Sequence, residues 1–384
     1  MDSLSFWEHR TFFKGIDVAI IGSGIVGLNT AIHLKKDCPA LRIIILERGY
    51  LPFGASTRNA GFACFGSIGE LADDLSSQPE SEVFGLVERR WKGLLELRSI
   101  LGDKALDYQP FGGFEIFKPE EEAQFNECQE KLAYFNRIME SITGETGTFS
   151  VQDRHIPSFG FQNIDHLIFN KSEGQLDTGL MMKALLGIAK QLGIEIFNGI
   201  TVEEVEEVGH HTVIVLAGGA AIEAKNTLLA TNGFTKKLFP HLDVVPARNQ
   251  VLVTKPLPLL PFKGSFHYER GYFYFRNVDG PEGSRILLGG GRHLAKAEEA
   301  TQEFGHTTVI QSALTKLLHE FILPGKKVEI DYWWSGIMGI GQTKKPIVEM
   351  LTPNIGIAAR LGGMGVALGN LVGKEAATMI KNNF

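Results

Sequence analysis

Cysteine is scarce: Cys38, Cys64 and Cys128 are the three in 384 residues, and no two form a CxxC pair. An odd count without paired spacing argues against a disulfide framework and against a structural zinc site. Long apolar runs are missing too. The best candidate, Ile16 to Leu34, is interrupted by Asp17, Asn29, His33 and three glycines, which a spanning helix tolerates poorly. A buried strand, turn and helix explains it better, and no transmembrane segment is expected. The first ten residues carry no basic stretch ahead of an apolar core, so no secretory signal is read there and a cytoplasmic location is expected. Basic charge is in deficit, with 38 Lys and Arg against 44 Asp and Glu, a net charge of −6. Without a basic stripe, the expected partner is a small molecule and not nucleic acid. The 15 prolines and 44 glycines are scattered, which excludes collagen-like and low-complexity architectures.

What remains is a globular balance, 44% hydrophobic and 21% charged, enough for a large core. At roughly 100–200 residues per domain, two or three domains are expected.

The strongest local signal lies near the start. Asp17–Ile21 reads as a short apolar strand, which runs into Gly22-Ser23-Gly24-Ile25-Val26-Gly27 and then into helical spacing through Leu34. Arg42–Leu46 is a second strand ending at Glu47, 20 residues past Gly27. A strand, a GxGxxG turn, a helix, a second strand and a terminal acid form a dinucleotide-binding unit. Gly22 permits the tight turn, Gly24 lets backbone approach a pyrophosphate, and Gly27 lets helix and strand pack closely. The helix start offers unpaired N–H groups and a positive dipole end to phosphate. Glu47 is placed to accept hydrogen bonds from ribose hydroxyls.

Farther along, residues 80–145 are helical and charged, with Gly113–Phe117 as the clearest strand among them. An amphipathic helix follows near Leu176–Leu192, then strands at 194–205, a hairpin joining Thr212–Leu216 to Ala221–Ala224, and a buried strand from Thr227. His210 and His211 sit at the hairpin and read as solvated. Residues 245–335 are aromatic and strand-rich, and Gly362–Gly365 leads into a terminal helix.

Taken in order, seven segments resemble the FAD-dependent D-amino-acid oxidase / sarcosine oxidase / glycine oxidase superfamily, most similarly its γ-glutamylputrescine oxidase-like branch. They are Ser5–Glu8 before the first strand, the Ala55–Phe62 loop, Val202, Ala230-Thr231-Asn232, Arg248-Asn249-Gln250, Trp334-Ser335-Gly336 with Lys345-Pro346, and Leu361–Val366. The resemblance implies an α/β fold (α+β overall): an FAD-binding Rossmann-like domain with a second, mostly antiparallel β-sheet substrate domain. The first domain is expected to be discontinuous, residues 1–85, 146–240 and 335–384, and the second to span 86–145 and 241–334. The cofactor contacts it implies are Gly22, Ser23, Gly24, Ile25, Val26, Gly27, Glu47, Arg48, Ser56, Thr57, Asn59, Ala60, Gly61, Phe62, Val202, Thr231, Gly336, Gly362, Gly363, Met364, Gly365 and Val366.

The sequence departs from the family where substrate is bound. Met338 stands where glycine oxidases carry an arginine for the substrate carboxylate, and Gly61 where sarcosine oxidases carry theirs. No cysteine lies near Gly336, so FAD is expected to be non-covalent. The lysines that sarcosine oxidase places on the strand at Ile286–Leu288 and at Ala367 are absent, so oxygen or another electron acceptor stays open. Cys64, close to the flavin loop, reads as a small buried hydrophobe. The candidates for chemistry are Arg58, His267, Tyr274, Arg276, Arg292 and His293. Arg276 and Arg292 are read as partners for a substrate anion, Arg58 as a charge near the flavin, Tyr274 as a phenol on a strand face that suits an amine site, and the histidines as acceptors of a proton from a substrate ammonium. The function implied is oxidation of a C–N bond in an amine or N-substituted amino acid to an imine, by hydride transfer to flavin. Two other readings remain at this point. One is a 2-hydroxy-acid or glycerol-phosphate type flavin dehydrogenase, which calls for a cationic cluster such as Arg276 with Arg292. The other is a non-catalytic flavin-binding subunit of a dehydrogenase complex.

Overall fold

In the computed structural model, which describes residues 4–384, the strand Ile16–Ile21 lies at the centre of a mixed sheet. It pairs in parallel with Ile43–Glu47 on one side and Ala221–Leu229 on the other. Glu195–Asn198 and Ile355–Ala359 extend the parallel run outward, and Ile347–Met350 closes one edge antiparallel. Both faces of these strands are covered, which is why they read as near-continuous apolar runs. Val18, Ile20, Ile43 and Ile45 face the helices Ile25–Asp37, Thr178–Gln191 and Gly365–Lys381. Their alternates Ala19, Ile21, Ile44 and Leu46 face a meander of Val202–Val208 and His211–Leu216 that leads into Ala221–Leu229. The hairpin expected at 212–224 is therefore there, and its second arm continues unbroken into the buried strand.

A second sheet has eight strands in the order Ile330–Ile340, Val245–Thr254, Gly283–Gly290, Phe273–Gly280, Ser265–Tyr268, Gly113–Phe117, His166–Asn170 and Phe149–Val151. Every pair is antiparallel except Ser265–Tyr268 with Gly113–Phe117. One face carries a cluster of aromatics including Phe114, Phe161, Phe262, Phe266 and Phe275. The opposite face is more polar. In register across it stand Glu115, His267, Tyr274, Gly289, Val251 and Trp334. This alternation, set by the two-residue period of a strand, divides apolar packing from chemistry.

The expected domain limits need correction at two places. Phe149–Val151 and His166–Asn170 pair with Gly113–Phe117 and so belong to the second sheet, not to the 146–240 piece of the nucleotide domain. The strand Ile330–Ile340 also runs straight through the boundary set at 334/335, because it stays paired with Val245–Thr254 over nearly its whole length. Among the described residues, no helix is long and apolar enough to cross a membrane.

Candidate active site

A cavity of about 610 Å³ runs from the carboxyl ends of the parallel strands to the polar face of the second sheet. At its first end, Gly22 adopts φ +107°, a conformation open to glycine. A Cβ on Gly27 would sit 2.0 Å from the Gly22 carbonyl oxygen, so helix and turn can meet only there without a side chain. The expected role of Gly27 is thus visible in the packing. Glu47 is 4% exposed, and its carboxylate accepts from Ser23 N (3.0 Å), Ser23 Oγ (2.8 Å) and Gly49 N (2.9 Å). The acid fixes the glycine turn from within and keeps lone pairs toward the cavity it lines. Ile25 N, at the start of the helix, donates to Ser56 Oγ at 2.9 Å, which ties the flanking loop to the turn.

That loop, residues 55–62, is held at nearly every step. Asn59 Oδ1 accepts from Gly61 N and from Thr178 Oγ1, both at 2.8 Å. Leu176 N donates to the Gly61 carbonyl (2.8 Å) and Trp334 Nε1 to the Arg58 carbonyl (2.9 Å). Gly61 has φ +72°, and a Cβ there would lie 2.2 Å from the Leu176 oxygen. No arginine could occupy that position in this backbone, which accounts for one departure noted in the sequence. Arg58 lies over the ring of Phe304 at 4.5 Å and donates to the Ser335 carbonyl at 3.1 Å.

Arg276 is a correction. It does not line the cavity. Its Nε donates to the Ala60 carbonyl at 2.6 Å and its Nη2 to the Leu176 carbonyl at 3.1 Å, and it is 7% exposed. Burial lowers its pKa to about 10, against the weaker opposing charges of Asp177, Asp107 and Asp279. The guanidinium is turned to the loop and away from the cavity where a substrate anion would sit.

At the far end, Tyr274 is buried and its hydroxyl accepts from Asn249 Nδ2 at 3.0 Å; burial raises its pKa. Its ring meets the edge of Phe62, which also meets His267. His267 Nε2 lies 3.3 Å from Glu173 Oε2. Burial pulls the His267 pKa down, but the Glu173 hydrogen bond and the charges of Glu173, Glu115 and Glu70 outweigh it, and the net shift is upward. His293 lies against Tyr272, and burial lowers its pKa. Cys64 lines the cavity and is buried, and burial followed by the Glu173 and Glu70 charges raises its thiol pKa far above the ordinary value. Most cations along this end are paired: Arg270 with Asp73, Lys344 with Glu70 and Asp74, Arg90 with Glu70. Arg292 lines the cavity and has no acidic partner among the described residues.

Of the expected cofactor contacts, all but Ser23, Gly27 and Thr57 line this one cavity. Ser23 is occupied with Glu47, Gly27 with the turn, and Thr57 Oγ1 donates to the Pro52 carbonyl. Sequence reasoning missed Glu173, Glu70, Arg90 and the Asn249 amide. Glu115 carried a signal, as the one charge inside the strand Gly113–Phe117. The donor set suits a dinucleotide. Arg48 is half-buried on the wall of the same cavity, stacked over Phe234 at 3.7 Å, and has no ion pair among the described residues. Burial lowers its pKa, and such a cation needs an anion brought to it.

Comparison with known proteins agrees with this geometry. Residues 17–379 match the family model described as DAO, FAD dependent oxidoreductase. Over 379 residues the chain is 24% identical to a probable oxidoreductase OrdL of Rhizobium meliloti, covering 94% of this chain and 82% of that protein. It is also 24% identical to the gamma-glutamylputrescine oxidoreductase of Escherichia coli over 391 residues, 96% of this chain and 84% of the relative. Among solved structures, glycine oxidase from Geobacillus kaustophilus superposes with a TM-score of 0.74 at 19% identity, covering 95% of this chain and 94% of that one.

Proposed function

The chain belongs to the DAO family of FAD-dependent oxidoreductases, and from that premise we propose that this enzyme oxidises the C–N bond of an amine or N-substituted amino acid to an imine. The observation that carries the reading is the continuity of one cavity from the Gly24–Glu47 turn to the polar row of the second sheet. FAD, when bound, supplies the acceptor for two electrons and the hydrogen of the carbon next to nitrogen. Everything else falls to the protein. Gly22, Gly24 and the helix start at Ile25 hold phosphate, with Arg48 on the wall of the same cavity. The pinned loop from Ser56 to Phe62, with Gly336 and the Gly362–Val366 turn, forms the walls of the middle section. With Cys64 kept as a buried thiol and no cysteine near Gly336, the cofactor is held non-covalently.

Substrate recognition rests on Arg292, Tyr274 and His267, with His293 and Arg58 on the same cavity. Met338 lines it in place of a carboxylate-binding arginine, and Gly61 leaves no room for one. Arg292, the cavity-lining cation of this end without an acidic partner, is the residue we assign to the anionic group of the substrate. The hydroxy-acid reading needed Arg276 and Arg292 together, and the loop has already claimed Arg276.

The products test the reading. Turnover of the donor amine should yield one carbonyl compound and one released amine per two electrons, because water hydrolyses the imine. A donor giving a 2-oxo acid from a 2-hydroxy acid, with no amine released, would overturn it.

A further inference from the structure

At the cavity wall, three carboxyl groups and a histidine are drawn together from four parts of the fold. Glu115 comes from the strand Gly113–Phe117 and His267 from its register partner Ser265–Tyr268. Glu173 precedes the short strand Gly174–Gln175, and Glu70 lies on the helix Ile68–Ser77. Glu173 is 1% exposed and Glu115 is 3% exposed. One oxygen of each, Oε1 in both cases, has no hydrogen-bond partner. Buried carboxylates left this way are costly, so their charge must be answered nearby.

The cations are unevenly shared. Glu70 takes both Arg90 and Lys344, which hold its pKa at about 2 against the opposing effect of burial. Glu115 and Glu173 are left with His267 alone. Glu115 accepts from Gly69 N at 2.7 Å, yet burial still raises its pKa to about 7. The other groups facing His267 are Cys64, whose thiol stays protonated, and the neutral Tyr274. Two buried carboxyls share one imidazole, so the cluster can take up a proton at little electrostatic cost. His267 and Glu70 are the members that line the cavity, and of the two His267 is the one free to accept a proton. Its Nε2 is gripped by Glu173, and its Nδ1 makes no protein hydrogen bond.

We propose that His267, positioned by Glu173 and faced by Glu115, removes the proton that the substrate ammonium must lose before its carbon can be oxidised. This inference rests on the amine-oxidation reading above. In the step, one N–H bond of the ammonium breaks and its electron pair stays on nitrogen. The proton bonds to the free Nδ1 of His267, and no electrons change hands. Glu173 is a positioning residue: it fixes the ring and favours the imidazolium that results. Glu115 balances the added charge.

The test uses the FAD-loaded protein in two readouts. One is the anaerobic rate of flavin bleaching by donor amine well below saturation, from pH 6 to 10. The other is the binding of tert-butylamine, which has no hydrogen on its α-carbon, followed by the shift it causes in the flavin spectrum. In the native protein, tert-butylamine affinity should be constant between the His267 transition and the amine's own. In His267→Gln, apparent affinity and bleaching rate should both fall about tenfold per pH unit below the amine's pKa, and recover at high pH. In Glu173→Gln, the acid limb of the bleaching profile should move to lower pH, because the group that raises the His267 proton affinity is gone. A loss in His267→Gln that is equal at every pH would overturn the proposal, and so would an unmoved limb in Glu173→Gln. Cys64, Glu173 and His267 place ligand atoms within 4.8 Å of one another, so a stoichiometric metal ion found there would overturn it as well. If no amine bleaches the native protein, the failure belongs to the amine-oxidation reading instead.

Discussion

The guanidinium of Arg276 reaches across from the second sheet to the carbonyl of Ala60, with Nε 2.6 Å from that oxygen. A charge that the sequence offered to the substrate is thus the clasp that holds the cofactor loop to the substrate sheet. Arg276→Met should leave the carbonyls of Ala60, Leu176 and Asn277 without their guanidinium donor. At about 1.5–3 kcal/mol for each hydrogen bond to a charged group, with overlap between them, a loss on the order of 3 kcal/mol is expected. Denaturant unfolding would measure it, and FAD affinity should fall in the same variant. Unchanged stability would mean that the loop stands without its clasp.

Gly27→Ala tests the turn. The new methyl would meet the Gly22 oxygen at 2.0 Å, which the turn can relieve only by moving. Overpacking of this kind costs roughly 1–3 kcal/mol. The variant should purify with little FAD, read from the flavin absorbance per protein. Full cofactor content would contradict the assignment of this turn to the pyrophosphate.

Arg292→Met should separate substrates. For a donor carrying a carboxylate, KM should rise roughly 10- to 100-fold, the loss of one charge-assisted contact. A donor amine without an anionic group should be oxidised as before. Equal losses for both donors would remove Arg292 from the substrate site.

Glu115 has a folded-state pKa of about 7, raised by burial from an ordinary carboxyl value near 4.5. The folded protein therefore holds this proton more tightly than the unfolded chain. The stability it contributes is complete below about pH 4.5 and is lost as pH rises through 7. Over that window the change is on the order of 3 kcal/mol. Glu115→Gln should flatten this part of the stability profile, measured by denaturant midpoints at several pH values. An identical slope in the variant would show that another group titrates there.

The nucleotide half of this molecule was legible because its physics is local. Gly22, Gly24, Gly27 and Glu47 act within one strand–helix–strand unit, and spacing alone places them together. The loop at Ser56–Phe62 and the Gly362–Val366 turn could be located by resemblance, and both line the cavity. The substrate half was far less legible. Whether Arg276 or Arg292 meets the substrate depends on a loop more than 200 residues away in sequence, at Ala60. Glu173 sits in a short turn with no local pattern, and only sheet pairing brings it to His267. The last two strands of the second sheet, Phe149–Val151 and His166–Asn170, were missed as part of it because they find partners through Gly113–Phe117, a pairing no local period announces.

The central claim is that one cavity carries FAD at the Gly24–Glu47 end and an amine donor at the Tyr274–His267 end. The most direct measurement is an anaerobic absorbance spectrum of the purified protein, mixed in turn with amines, N-methyl amino acids, D-amino acids and 2-hydroxy acids. The account predicts a yellow protein whose flavin band near ~450 nm bleaches with a nitrogen donor and not with a hydroxy acid. A band that bleaches with hydroxy acids alone, or with no donor at all, would contradict it.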